Sequence, residues 1–543
     1  MSKTKKHNRH SYRHSNRHSI KSICNSSNNY IKLLTKTNTS HTSHTSHTSQ
    51  TSPYTKYKKY ISTLSTQFIK SQHSLLSSLF KVKNKTKFTI TYNEVSLKES
   101  NESSDINSTY SIPQFIDIFR YLITNDNDND NKNNDFINKF TLEEQKILKD
   151  KLSTNYTKKQ CYTFLDTSPL GNKLISVYNS INSTLMNDLE MKYTSLKFHR
   201  LLINSFTSYK ILEDLELNIK KLIRYSIVYE GKKLDNFVYL FTYDKLKKSK
   251  GHDNDNGNDN AHDYILDLGT DIVKRILFFN KFLNTSHYPD KFILFLTDNK
   301  KEIDKELREH IHFKTINVNT AVTNGSDIII YREQELLKSI FHELIHFHNL
   351  DFRHVSPDIL NNIISYLIKT HNIKENNEYL LYECITESLA NILNNIYYSG
   401  TLKEMSINLE NEIMFSTLQI AKILNICKYK KWSDFSYDNN MEKIDKSTQF
   451  KQDSCVFSYY ILKLYILLNL DTYFKHVLDS KMKFIQTRQS FNYLIDIFDS
   501  SRNNIVLEQI INSILKGFRL NKNMYSKNKD IKDINNTLRM TCL

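Results

Sequence analysis

The stretch Phe341-His342-Glu343-Leu344-Ile345-His346-Phe347 holds three side chains that could do chemistry together. On a helix, residues four apart share a face, so His342 and His346 point the same way. Two imidazoles at that spacing can hold one Zn²⁺ at about 2.0–2.1 Å per Zn–N bond. Glu343 reaches the same side, where it is placed to take a proton from a water that the metal activates rather than to bind the metal itself. Leu336, Leu337, Ile340, Phe341, Leu344, Ile345 and Phe347 make this helix apolar nearly all round, which predicts burial. Two histidines and a glutamate buried side by side need partners, and a metal is the simplest one.

A catalytic zinc takes three protein ligands and keeps one position open. The long form of the motif would require glycine at position 349 and histidine at 352, and the chain has Asn349 and Phe352. His348 and His354 are out of register with the helix face. A later segment, EYLLYECITESLANILNNIYY over residues 378–398, reads as a helix that carries Glu383 and Glu387 one turn apart. Either can supply the third ligand.

His342-Glu343-Leu344-Ile345-His346 followed by Glu387-Ser388-Leu389-Ala390-Asn391 resembles the gluzincin metallopeptidases, whose second motif has the form E-x-x-A. The resemblance implies that Glu387 is the third ligand and that Asn391 orients the first histidine, where the family usually has an aspartate. Should Glu383 bind instead, Glu387 would take the orienting role. Val318-Asn319-Thr320-Ala321, with Asn324 and Ile328–Ile330, is similar to the gluzincin edge strand. Asn319 and Ala321 would then bind the substrate backbone as an added strand. The likeness spans about residues 313–395. It implies a zinc-dependent metallopeptidase acting on a peptide or protein substrate, with Glu343 as general base. It also implies an oxyanion stabiliser, for which Tyr459, Tyr460, Tyr473, His476 and Arg488 are the candidates.

These groups need a scaffold. Phe313–Val318, Lys291–Leu296 and Asp327–Tyr331 read as strands, with a turn at Thr323-Asn324-Gly325. Helices are expected over Tyr264–Leu283, Lys300–His310, Glu333–His348 and Ser356–Lys369. Upstream, Lys87–Val95 alternates as a strand, whereas residues 136–250 read as helices, among them Leu215–Tyr229. Thr141-Leu142-Glu143-Glu144 is a capping box. The expectation is a mostly helical α+β chain. A zincin-like catalytic core over 264–400 is flanked by a helical region at 60–250 and a helical subdomain at 401–543. Asn/Asp-rich inserts fall at 125–135 and 251–263.

With 39% hydrophobic residues the chain can bury a sizeable core. Its net charge of +17 is unevenly spread. Residues 1–60 carry twelve Lys or Arg and no acid, and removing these twelve from the 75 leaves 63 basic against 58 acidic residues. Residues 1–59, rich in His, Ser and Thr, are therefore expected to be a disordered basic tail. Such a tail could make weak contact with nucleic acid or an anionic surface. Six scattered cysteines without a C-x-x-C pair fit a reducing compartment. No secretory h-region and no long apolar run is present, so an intracellular protein without a transmembrane segment is expected. The skew toward Asn, Lys, Ile, Ser and Tyr is that of an AT-rich genome, such as that of a large DNA virus or a protist, and admits a virion-associated protein. Two competing functions remain: an inactive zincin fold with a structural or interaction role and a nucleic-acid-binding tail, and a zinc hydrolase acting on other substrates.

Overall fold

A computed structural model describes residues 11–36, 51–96, 115–124, 136–179, 209–243, 257–351, 355–374, 379–437, 449–477, 491–520 and 529–543. The expected insert at 125–135, residues 251–256 of the insert expected at 251–263, and Arg488 and His354 lie outside the described residues, whereas residues 257–263 are not a linker but the first turns of the helix Gly257–Leu283.

The architecture is mixed α+β and mostly helical. Its centre is a six-stranded sheet. The strands are β1 (Phe88–Ser96), β2 (Ile219–Tyr229), β3 (Lys232–Tyr243), β4 (Lys291–Phe295), β6 (Ala321–Asn324) and β7 (Asp327–Ile330), with a two-residue β5 (His312–Phe313) pairing elsewhere with β8 (Lys451–Gln452). The spatial order is β1-β2-β3-β4-β7-β6. β3, β4 and β7 run parallel, and the remaining pairs are antiparallel. β6 is thus an edge strand.

Side chains alternate across a strand, so one sheet can serve two cores. Tyr225, Leu240, Phe292, Leu294, Ile328 and Ile330 face the larger core, which also holds the H-E-x-x-H helix. Tyr239, Phe241, Ile293, Phe295 and Ile329 face a smaller core, closed by the helices Phe115–Thr124, Leu142–Lys151, Lys158–Thr167, Pro169–Asn179 and Tyr209–Asn218. The capping box at Thr141 is present.

Four expectations are corrected. Leu215–Tyr229 is not one helix: the helix ends at Asn218 and β2 begins at Ile219. β2 and β3 form a hairpin whose loop residues Glu230 and Gly231 both have positive φ, at 48° and 77°. That is the backbone a tight hairpin with the native strand twist requires. The sheet consequently joins strands from both sides of the boundary expected at 250–264. Phe313–Val318 is not a strand, because a short helix occupies Thr315–Val318. Finally, Ser11–Lys36 is a helix where an unfolded tail was expected. Cys24, Tyr30, Ile31 and Leu34 are buried, whereas Lys32 and Lys36 are exposed. The low-complexity composition hid a short apolar stripe. Gly517, in the helix Ile505–Leu520, lies so close to it that a Cβ would come 2.4 Å from the Leu34 carbonyl oxygen.

The last described segment is buried under the same core. The Glu335 carboxylate accepts from the backbone N–H groups of Met540 and Thr541 at 2.5 and 2.9 Å. Lys463 donates to the Met540 carbonyl at 2.5 Å, and Glu412 accepts from the Cys542 N–H at 3.0 Å. No helix among the described residues is long and apolar enough to cross a membrane.

Candidate metal centre

The H-E-x-x-H segment forms a helix over Leu336–Phe347, hereafter the motif helix. Glu335, immediately before it, has left-handed backbone (φ 65°). For a non-glycine residue this conformation costs about 1–2 kcal/mol. The Glu335 side chain is fixed by Lys301 at 2.6 Å and by the two backbone donors of residues 540–541. These contacts hold the strained turn in place. At the other end, Asn349 adopts φ 53°, its N–H bonds the His346 carbonyl, and the Leu350 N–H bonds the Ile345 carbonyl. This is a Schellman turn with asparagine in the left-handed position. It brings Asp351 back under the helix.

The motif helix packs on the helix Leu381–Tyr398, the glutamate helix. The two carry opposing ladders with a four-residue step. Lys338, His342 and His346 lie along one, and Glu387 and Glu383 along the other. His342 Nε2 and His346 Nε2 are 3.1 Å apart, and Glu383 Oε2 lies 3.3 and 3.4 Å from them. Three donors at about 2.05 Å from a tetrahedral zinc would be about 3.3 Å from one another. Glu383 Oε2 is buried and has no hydrogen-bond partner among the described residues. His342, His346 and Glu383 are also the one group among the described residues with metal-ligand spacing. The residues present therefore fit zinc.

The carboxylate facing both Nε2 atoms is Glu383, not the expected Glu387. Glu387 accepts instead from His342 Nδ1 at 2.9 Å and from the Lys338 ammonium at 2.7 and 2.8 Å. Its two oxygens are committed there. Asp351 holds His346 Nδ1 at 2.6 Å. Each histidine thus has a carboxylate on Nδ1, which fixes the tautomer that presents Nε2. Asn391 does not reach a histidine. Its amide donates to the Glu387 carbonyl and to Glu387 Oε1 at 2.9 and 3.2 Å, so it braces the bracing carboxylate.

Charge makes the same point. Glu343, Glu383, Glu387 and Asp351 converge here, and of the buried lysines Lys338 is the one that contacts them, through Glu387, with Lys463 acting on Glu387 from farther away. Burial pushes the His346 imidazolium toward deprotonation, but Glu383 and Asp351 outweigh it and raise its pKa to about 10. His342 is likewise raised by Glu383 and Glu387 against burial. Burial alone would raise the Glu383 carboxyl, yet the two histidines hold it well below the usual carboxylate range. The pocket is a receptor for positive charge, which protons or a dication can supply.

No protein-family model matches this chain, and neither a characterised protein nor a solved structure matches its sequence or fold.

Of the other expected residues, Ala321 opens β6, and Asn319 precedes it with its side-chain oxygen buried against Ser454 Oγ at 2.7 Å. That side chain does not face an incoming strand. Among the oxyanion candidates, Tyr459 comes nearest, its ring centroid 6.0 Å from that of His342. It projects from a π-helical turn over Phe457–Leu462, a rare form that often marks functional positions. Burial, then Glu383, Cys455, Glu343 and Glu387, push its pKa far up, so it stays a neutral donor. Tyr460 donates to the Leu538 carbonyl at 2.7 Å, and His476 stacks on Tyr493. Tyr473 is buried among other neighbours, Tyr493 and Cys384. His348, as expected, is not at the site and packs on Phe279 and His287. Sequence reasoning missed Lys338, Asp351, Thr323 and Tyr382, whose ring lies 6.1 Å from His346.

Proposed function

We propose that this chain is a zinc-dependent metallopeptidase with a zincin-like core. The observation that carries the proposal is the triangle of His342 Nε2, His346 Nε2 and Glu383 Oε2 with edges of 3.1–3.4 Å, one residue from Glu343. These three side chains would hold the ion. When bound, zinc supplies Lewis acidity, polarising a carbonyl and lowering the pKa of water toward about 7. The chain supplies the rest. Glu343 takes the proton of the attacking water and passes it to the leaving amine. Tyr459 donates to the oxygen that gains charge. The outer edge of β6, unpaired among the described residues, offers N–H and C=O groups to an extended peptide. Glu387 and Asp351 keep both imidazoles aimed.

The test is zinc content of the full chain by mass spectrometry, together with cleavage of a randomised peptide mixture. One zinc per wild-type chain, lost in Glu383→Ala, with cleavage abolished in Glu343→Gln, is the expected result. A folded wild type without zinc refutes the reading.

A second reading has its own support. His342, Glu343, His346 and Glu383 are each no more than 8% exposed. So closed a site suits a zinc that braces the fold without turnover, as in an inactive structural protein. Zinc-loaded chain that cleaves nothing would favour it. The expected nucleic-acid arm is shortened, since residues 22–36 pack one helical face on the body.

A further inference from the structure

We infer that Thr323 is a positioning residue for Glu343, locking the general base to the strand that receives substrate. The inference rests on the peptidase reading above. Thr323 lies in β6, opposite Ile328 of β7. Alternation along β6 sends Val322 toward the smaller core and Ala321 toward the larger one, so Thr323 shares the face that meets the motif helix. Its hydroxyl is 2.7 Å from Glu343 Oε2 and 3.2 Å from the Glu343 carbonyl oxygen. No other hydrogen-bond partner of the Glu343 carboxylate is found among the described residues. Glu343 is 3% exposed, so solvent does not replace that partner.

The chemistry follows from this geometry. A hydroxyl has one proton to donate, and the carboxylate accepts it. That commits Oε2 and leaves Oε1 to take the proton of the attacking water. A β-branched threonine in a strand has few χ1 choices, so the donor is held with little entropy left to lose. Position matters more than strength here. A general base misplaced by about 1 Å can lose about a hundredfold in rate. Because the donor sits on the edge strand, the Thr323 hydroxyl ties the peptide-docking edge directly to the carboxylate of the base. Binding is served by the β6 backbone and proton transfer by Glu343, so losing the hydroxyl should affect turnover and spare docking.

The experiment uses the full chain loaded with Zn²⁺ and a randomised peptide mixture, followed by kinetics on one peptide the wild type cleaves. Thr323→Val keeps shape and removes the donor. Its kcat should fall about tenfold to a hundredfold, with KM within about twofold and zinc content unchanged. Thr323→Ser should restore kcat to within about threefold of wild type, which a purely packing role would not do. Should the valine variant misfold, Thr323→Ala carries the same comparison. A substrate-free reading comes from thermal unfolding of the zinc-stripped protein: Thr323→Val should lower Tm more in the wild type than in a Glu343→Ala background, where only the weaker bond to the backbone carbonyl remains to be lost. Wild-type kcat in the valine variant, or serine and valine variants equally impaired, overturns this inference alone. A zinc-loaded wild type that cleaves nothing overturns the peptidase reading and this inference with it.

Discussion

Glu387→Ala separates the two carboxylates of the glutamate helix most sharply. In the wild type the Glu387 side chain is fully buried, pairs with Lys338 at 2.7 Å and holds His342 Nδ1 at 2.9 Å. Removing it leaves the Lys338 ammonium, 2% exposed, with no other carboxylate among the described residues in contact. Breaking a buried pair from one side costs about 3–5 kcal/mol, because the remaining charge stays desolvated. Losing the carboxylate behind a liganding histidine costs about 10–100-fold in metal affinity. The variant should therefore still bind zinc, more weakly, and be strongly destabilised when zinc is stripped. Lys338→Met combined with Glu387→Ala should recover most of the stability, since no unpaired charge remains, but none of the affinity. Chelator competition gives the affinity, and urea denaturation of the zinc-free protein gives the stability. The reasoning is refuted if Glu387→Ala abolishes zinc binding as completely as Glu383→Ala, for then Glu387 is the ligand. It is equally refuted if the double variant is no more stable than the single one.

Other consequences can be checked independently. Tyr459→Phe should lower kcat by about 10²–10³ with zinc content unchanged, measured on any cleaved peptide. Burial depresses the pKa of His371 to about 3, below its unfolded value near 6.5. The unfolded chain thus binds the extra proton first, so stability is complete above pH 6.5 and is lost as pH falls toward 3. At pH 5 this group alone should cost about 2 kcal/mol, which comparison of denaturation at pH 7 and pH 5 with His371→Gln should reveal as a smaller pH difference in the variant. Gly517→Ala should cost about 1–3 kcal/mol through its clash with Leu34, and limited proteolysis should show residues 11–36 released first.

The motif helix was legible because a four-residue spacing on a helix has only one geometric meaning. The third ligand was not. Glu383 and Glu387 share a face, and only the axial offset between two helices decides which of them reaches Nε2 and which Nδ1. One residue held the clue: Lys338 stands one turn before His342 on the same buried face, and a buried ammonium demands a carboxylate of its own. That demand is met by Glu387, which leaves Glu383 facing the two Nε2 atoms. Asp351 could have been sought from Asn349, a residue suited to a left-handed helix stop that turns the chain back. The β2–β3 hairpin was misread because Leu222 and Ile223 are adjacent and both buried, and a register shift between Ile219 and Lys221 blurs the strict alternation. Its Glu-Gly turn was the better signal. The helix at 11–36 lies in a composition that on average cannot fold, and four buried apolar side chains, with Ser27 and Thr35 beside them, were enough to override the average.

The burial of residues 537–543 also sets a timetable. The strained turn at Glu335 that launches the motif helix is secured by backbone donors from Met540 and Thr541, about two hundred positions later in the chain. During synthesis, at about 5–20 residues per second, the His342–His346 face exists for some ten seconds or more before its clamp is translated. It then waits further until that segment clears the ribosome. On this order the proposed centre matures post-translationally, and a chain ending before residue 540 would carry His342, His346 and Glu383 in its sequence without the clamp that secures their helix.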